Sequence, residues 1–428
     1  MAEAPVVKQS ALRTALAGLI GNVLEWFDFA VYGYFASNIG HQFFPESDPA
    51  VQTFLTFATF ALGFFARPFG SIVLGRVGDR IGRRALLTLS IALMGGATLI
   101  LGLLPTYNQI GIAAPVLLML MRVIQGFSLG GEFTGSMVYT TEGSSPLMRG
   151  LVSSSTAAGT TMGFILGSGT AYLINHSMTP ADVDAWGWRI PFIGSIVFLV
   201  VGYLLRRGIH ETEAGLKAMQ ARPPLWSSLA ADARPIIQTF GIVAMTNAAY
   251  YLTFTYAVET RKAQAQAAGD VGADTFLLVN TLVLFAVLFA KPLGGWLSDK
   301  VGRRRLMITL QLAVMALIYP ATQFMISGSL QNFALGQVFM AIPLGMALGL
   351  QGAMVVEIFP LRTRVMSMSV AYSMTLALAG GTAPMVAGWL VRTFHEPLAP
   401  AFYAMVYGVI GLLIMWPMAE TNTRSLDR

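Results

Sequence analysis

Apolar stretches long enough to cross a bilayer recur along the whole chain. A spanning helix needs roughly 20 mostly apolar residues, and about twelve such stretches are present. Their centres fall near Trp26, Phe65, Ala97, Gly126, Gly163, Val197, Met245, Leu288, Val314, Ala347, Ala379 and Ile410. The longest polar stretch, RRGIHETEAGLKAMQARPPLWSSLAADARP, runs from Arg206 to Pro235 and separates the sixth from the seventh. The pattern predicts an all-α membrane protein. Residues 1–207 form an N-terminal six-helix bundle, 208–234 a connecting loop and 235–428 a C-terminal six-helix bundle.

Composition agrees. Of 428 residues 55% are hydrophobic and 11% are charged, against roughly 25% charged in soluble domains. Cysteine is absent, which excludes disulfides and thiolate metal sites, and the four histidines (His41, His176, His210, His395) make a histidine-ligated metal unexpected. No Walker motif is present. GFSLG (126–130) has the form of a hydrolase elbow but lies inside an apolar helix with no histidine near its level. We therefore expect neither an enzyme nor an ATP-driven pump.

Basic residues set the expected orientation, because Lys and Arg concentrate in cytoplasmic loops. Arg76, Arg80, Arg83 and Arg84 follow the second span, Arg206, Arg207, Lys217, Arg222 and Arg234 lie in the central loop, and Lys300, Arg303, Arg304 and Arg305 follow the eighth. The opposite loops hold Arg189, Arg261, Lys262 and Arg392. Both termini and the central loop are thus expected in the cytoplasm. The net charge of +6 expresses this asymmetry rather than a nucleic-acid surface.

The chain also repeats itself. GRVGDRIGRR (75–84) matches GWLSDKVGRR (295–304), pairing Asp79 with Asp299 and Arg83 with Arg303. Each copy follows the second helix of its half, the mark of two parallel six-helix repeats.

The first copy, Gly75-x-x-x-Asp79-Arg80-x-Gly82-Arg83-Arg84, resembles the loop signature of the major facilitator superfamily. GNVLEWFDFAVYGYF (21–35), ARPFGSIVLGRVGDRIGRR (66–84), RVIQGFSLGGEFTG (122–135), WGWRIPF (186–192), TNAAYYLTFTY (246–256) and QGAMVVEIFPLRTR (351–364) together resemble its metabolite–proton symporters. That family includes transporters of proline and betaine, 2-oxoglutarate, citrate and shikimate. The resemblance implies alternating access around a central cavity, the proton as coupling ion with no other cofactor, and a bacterial inner membrane. One departure is clear: relatives usually carry a proline after the Thr-Tyr of helix seven, where this chain has Ala257-Val258-Glu259, which predicts a straighter outer end.

The charges inside the apolar stretches are the candidate chemistry, since a charge at the bilayer centre costs about 2.5–3.5 kcal/mol on insertion scales and normally faces a partner or a wet cavity. In helix one Asn22, Glu25, Phe29 and Tyr32 share a face by spacing, with Asp28 at its edge. A carboxyl held away from water suits proton uptake and release, so Glu25 and Asp28, with Glu132 of helix four, are candidate coupling acids. The alternative is a carboxylate locked to a base to fix packing. Helix four repeats the spacing with Arg122, Gln125, Leu129 and Glu132. Arg122 and Glu132 stand roughly 15 Å apart along the axis and so cannot pair. Arg122 is expected to grip a substrate carboxylate, to neutralise Glu25 or Asp28, or to alternate between the two. Asn22, Tyr32, Gln125, Asn247, Tyr251, Lys291 and Gln351 complete the expected substrate-binding set, and Tyr250 could join them. Arg67 and Lys291 each precede a proline. Snorkelling to the cytoplasmic surface is the expectation for Arg67, whereas Lys291 could lend charge to the cavity. Asp79, Arg83, Asp299 and Arg303 are the candidate cytoplasmic gate, with each Asp attracted to the N-terminus of a following helix and to nearby arginines. The expected function is proton-coupled uptake of a small organic acid such as a di- or tricarboxylate, with a zwitterionic osmolyte such as proline or betaine as the alternative. The expected partners are a small-molecule substrate, protons and the lipid bilayer, with the protein a monomer.

Overall fold

The computed structural model describes residues 11–46, 48–81, 83–130, 132–206, 225–270, 272–424 and 426, and every regular element among them is helical. Twelve helical rods run antiparallel to their chain neighbours. In the N-terminal half they are α1 (Ala11–Tyr34), α2 (Pro49–Ile81), α3 (Arg83–Leu103), α4 (Ala113–Glu142), α5 (Arg149–Ser177) and α6 (Ile190–Arg206). In the C-terminal half they are α7 (Ala233–Tyr251, continued to Ala267), α8 (Thr275–Val301), α9 (Arg303–Ile326), α10 (Leu330–Ile358), α11 (Arg364–Phe394) and α12 (Ala399–Met415). Six of the described helices are long and apolar enough to cross a membrane on length and composition alone. Others carry smaller residues, as in α5, where Gly, Ser and Thr dominate the buried face. Large apolar side chains such as Phe69, Phe289 and Leu413 point outward, as a lipid-facing surface requires.

The two halves repeat one packing plan. In the first, α1 packs on α5, α2 on α4 and α3 on α6. In the second, α7 packs on α11, α8 on α10 and α9 on α12. The halves meet through α2 with α11 and α5 with α8, again a related pair of seams. Glycines permit the close pairs. A Cβ on Gly126 would stand 1.7 Å from the Gly63 carbonyl oxygen, and one on Gly349 2.0 Å from that of Lys291, both far inside van der Waals contact. Small residues are the usual means of bringing helix backbones this near in a membrane.

Two features depart from expectation. Between the halves, a short helix spans Leu225–Ala231 and α7 starts at Ala233, inside the stretch read as loop; residues 207–224 lie outside the described residues. Helix seven does continue past residue 257 without a break, but it is not regular: a π-helical turn occupies Leu252–Tyr256. Such a turn frees backbone carbonyls from the usual ladder, and here Thr253 and Phe254 offer theirs to side chains.

Candidate functional site

Between the halves lies a cavity of about 30 Å³, room for one or two waters. Trp26 of α1, Phe133 and Met137 of α4, and Ala157, Thr160 and Phe164 of α5 form one wall. Asn247, Tyr250 and Tyr251 of α7, Lys291 of α8, Leu348 and Gln351 of α10, and Tyr372 of α11 form the other. Asn247, Tyr251, Lys291 and Gln351 of the expected binding set are thus brought together. Thr246 and Asn247 donate to Gln351 Oε1 at 2.9 and 3.4 Å, and Gln351 Nε2 donates to the Tyr372 hydroxyl at 2.9 Å. Lys291 is 2% exposed. Its ammonium donates to the Ala157 carbonyl at 2.5 Å and to Thr160 Oγ1 at 2.9 Å and has no carboxylate partner among the described residues.

The N-terminal members of that set lie elsewhere. Arg122 is fully buried inside the N-terminal half, not on the cavity wall. It stands 3.7 Å from Asp28 and donates to Gln125 at 2.9 Å, and Gln125 donates to Thr98 at 2.8 Å. Its guanidinium lies over the rings of Phe29 and Tyr32, 4.5 and 4.2 Å from their centroids, so the planar cation is held by π faces as much as by charge. Tyr32 donates to the Thr56 carbonyl at 3.2 Å, and Asn22 donates to Ser136 at 3.3 Å. Of the two open roles for Arg122, the geometry displays the neutralising one.

Arg67 requires a correction. It does not snorkel: it is 3% exposed and forms an ion pair with Glu25, beneath Trp26, Phe29 and Phe64. The reason is position along the helix. Arg67 stands fourteen residues before Ile81, the end of α2, roughly 20 Å from that terminus and beyond the reach of any side chain. It shares two features with Lys291, though the register of the repeat sets Lys291 one turn away, opposite Ser71: each is followed by Pro, and each has its carbonyl close against a glycine of the neighbouring helix, Gly130 for Arg67 and Gly349 for Lys291.

At the end of the bundle bearing the arginine-rich loops, the halves touch. Asp299 accepts from the backbone N–H groups of Gly150 and Leu151 at 2.8 and 3.0 Å and binds Arg303 at 2.8 Å. It therefore sits at the N-terminus of α5 in the other half, not of the helix that follows it, where the helix dipole and unpaired N–H groups favour an anion. Arg303 also binds Glu357, and Arg364 binds Glu142 across the halves. The side chains of Asp79, Arg83 and Glu132 lie outside the described residues.

The opposite end is closed too, partly by residues read from sequence as loop. Lys262 is not in a loop. It is fully buried on α7, paired with Glu259 at 2.7 Å, and donates to the Tyr34 carbonyl at 2.6 Å. Glu259 accepts from the Ser37 N–H at 2.8 Å. Tyr34 donates to Phe254 O, one of the carbonyls freed by the π turn, and accepts from Asn280, each at 2.9 Å. The Glu259–Lys262 spacing of three residues was the available signal, since it places both on one helical face. Trp26, Phe133, Phe164 and Tyr372 carried no such signal, because a cavity aromatic and a packing aromatic look alike in sequence.

A cavity between two pseudo-symmetric halves, lined by polar groups that few packed cores would bury, is the architecture of a secondary transporter. Models of the "Sugar (and other) transporter" family and of the "Major Facilitator Superfamily" match residues 14–216 and 267–427. The proline/betaine transporter of Salmonella typhimurium is 34% identical over all of this chain and 87% of its own length. The citrate–proton symporter of Klebsiella pneumoniae is 32% identical over 92% of this chain and 88% of its own. The xylose transporter XylE from E. coli, in a partially occluded inward-open conformation, superposes with a TM-score of 0.77 over 97% of this chain and 99% of its own at 18% identity, which speaks to the fold. The chain belongs to the major facilitator superfamily, among its metabolite–proton symporters.

Proposed function

We propose that this protein is a proton-coupled symporter that takes up a small zwitterion bearing one carboxylate and one ammonium, of the proline and betaine kind. The observation that carries the reading is the unpaired Lys291 facing an aromatic wall. Arg67 and Arg122 are neutralised by Glu25 and Asp28, so of these three buried bases Lys291 is the one without a carboxylate partner among the described residues. A buried cation without a counterion is costly, and a single carboxylate supplies what it lacks. Asn247, Gln351 and Tyr372 offer hydrogen bonds beside it. The rings of Trp26, Phe133 and Phe164 also line the cavity, and aromatic rings are what a quaternary or secondary ammonium favours. The relatives named proline/betaine transporters, which match this chain end to end, support the same choice. A di- or tricarboxylate, the first expectation from sequence, asks for more free positive charge than these side chains offer; it stands second, supported by the citrate–proton relatives.

Asp28 is the better-placed coupling acid. Glu25 is held in a tight pair with Arg67. Asp28 is 3.7 Å from its arginine, beyond hydrogen-bond distance, so a proton displaces little there. Once the proton is on, Arg122 loses its counterion and the charge balance of the N-terminal half changes, which is how an ion site biases a two-state carrier. The Asp299–α5 contact closes the arginine-rich end, and the Tyr34–Glu259–Lys262 cluster closes the other. Release of one set at a time gives alternating access. The arginine-rich end faces the cytoplasm of a bacterial inner membrane by the charge rule. One chain encloses the whole cavity, so a monomer suffices.

Calorimetry tests the reading. Glycine betaine should bind the wild type more tightly than citrate does. Lys291→Met should weaken that binding roughly ten- to a hundred-fold, the value of one charge-assisted contact of about 1.5–3 kcal/mol. Tighter citrate binding, or a Lys291→Met variant that binds betaine normally, would contradict it.

A further inference from the structure

The contacts of Lys291 without substrate carry a consequence for how binding is coupled to movement. Lys291 belongs to α8 of the C-terminal half, and both groups that hold its ammonium, Ala157 O and Thr160 Oγ1, belong to α5 of the N-terminal half. The three form a closed triangle, because the Thr160 hydroxyl itself donates to Ala157 O at 2.7 Å. Thr160 is thereby oriented, with its oxygen lone pairs turned to the ammonium. The α5–α8 seam is one of the two along which the halves meet. The backbone of Lys291 is fixed by the close approach of Gly349, so the side chain is what moves. Thr160 and Ala157 also line the cavity, so whatever enters meets the lysine where α5 holds it.

We infer that the Lys291–Thr160 contact is a latch across the α5–α8 seam that the substrate carboxylate displaces. With the cavity empty, the ammonium lacks an anion and takes the neutral acceptors of the other half, tying the halves together. A carboxylate is the stronger acceptor, since it carries a full negative charge where the carbonyl and the hydroxyl carry only dipoles, and its Coulomb attraction to the ammonium is strong away from water. It draws the ammonium off α5, and the seam loses its central polar tie at the moment of binding. Binding energy is spent in part on breaking that tie, so affinity is lower than the site could give and the loaded carrier is freer to move than the empty one. Thr160 is a positioning residue here: it acts through Lys291 and no substrate contact is assigned to it. The inference rests on the reading of Lys291 as the carboxylate anchor.

The test uses Thr160→Val, which keeps the shape and the β-branch and removes the oxygen, with Thr160→Ser as the variant that retains it. Two readouts are taken on purified protein with glycine betaine as probe. The first is affinity by calorimetry. The second is crosslinking of a cysteine pair introduced across the α5–α8 seam of this cysteine-free chain. Wild type should crosslink well without betaine and less well with it. Thr160→Val should bind betaine about three- to ten-fold more tightly, the net value of one hydrogen bond, and, with the Ala157 carbonyl still in place, should crosslink less than wild type without betaine and change less when betaine is added. Thr160→Ser should behave as wild type, which separates loss of the oxygen from damage to packing. An affinity in Thr160→Val equal to or weaker than wild type, with the betaine-dependent crosslinking change intact, would overturn the latch. The anchor is judged separately. If Lys291→Met binds betaine normally the anchor itself is wrong; if it abolishes binding while Thr160→Val matches wild type in both readouts, the latch alone falls.

Discussion

Glu25 of α1 and Arg67 of α2 meet as an ion pair in which the carboxylate is 2% and the guanidinium 3% exposed. The pair is sealed under Trp26, Phe29 and Phe64 and, with the Tyr32 hydroxyl bonded to the Thr56 carbonyl, fixes how the two helices are rotated against each other. Removing one member of such a pair strands the other and costs about 3–5 kcal/mol, whereas replacing both by neutral groups is often tolerated. Glu25→Gln and Arg67→Met should each lower the thermal midpoint in detergent, and the double variant should recover most of the loss. Full additivity of the two losses would show that the residues do not act as a pair.

Asp28 should carry the coupling. Asp28→Asn is expected to abolish accumulation of substrate against its gradient while counterflow down a gradient survives. The observation behind this is the loose contact with Arg122 at 3.7 Å. Accumulation in Asp28→Asn at the wild-type level would move the role to Glu25 or Glu132.

The Glu259–Lys262 pair is self-contained. Both members sit on one face of α7 and reach across to the backbone of Tyr34 and Ser37, with Lys262 also over the Phe35 ring. When that end opens, two hydrogen bonds are given up and no charge is left without its partner. Lys262→Met would strand Glu259 in the closed form alone, where it is fully buried, and should favour opening. A cysteine placed at Ser37 should then react several-fold faster with a membrane-impermeant thiol reagent. Adding Glu259→Gln should return the rate toward that of the parent. Equal rates in all three proteins would show that the pair does not hold this end shut.

His41 lies outside the membrane span, on the short helix Ala36–Phe43, 3.1 Å from Asp184 of the helix Pro180–Ala185. The hydrogen bond to that carboxylate raises its pKa above the ordinary 6.5, against a smaller lowering from partial burial. The folded protein thus holds this proton more tightly than the unfolded chain. The contact contributes in full below pH 6.5 and is lost as pH rises through the higher folded value. An NMR titration of the imidazole should show a midpoint above 6.5 that falls in Asp184→Asn. A wild-type midpoint at or below 6.5 would count against the contact.

How much of this was legible beforehand depended on which forces leave a mark in one dimension. Twelve spans, the repeat and the superfamily were readable because burial in lipid demands long apolar runs and the Asp79 and Asp299 loops carry matched glycines and arginines. That Glu25, Asp28, Arg122 and Lys291 matter was readable too, since a charge in such a run demands a reason. Which acid meets which base was not: it depends on how α1, α2 and α4 are rotated about their own axes. Arg67 was misjudged on depth, because the end of α2 at Ile81 lies further from it than a side chain can reach. Lys262 was misjudged because Arg261, Gln264 and Gln266 lower the local apolar density, and hydropathy then ends the span before a turn that tertiary contact keeps helical. The aromatic wall of the cavity is a tertiary fact with no local cause.

The most direct test of proton-coupled zwitterion uptake is transport into proteoliposomes with an imposed pH gradient, interior alkaline. The account predicts that labelled glycine betaine or proline accumulates above its external concentration while the gradient lasts, collapses when a protonophore is added, and outcompetes citrate. Accumulation of citrate with no uptake of either zwitterion, or zwitterion uptake indifferent to the gradient, would contradict it.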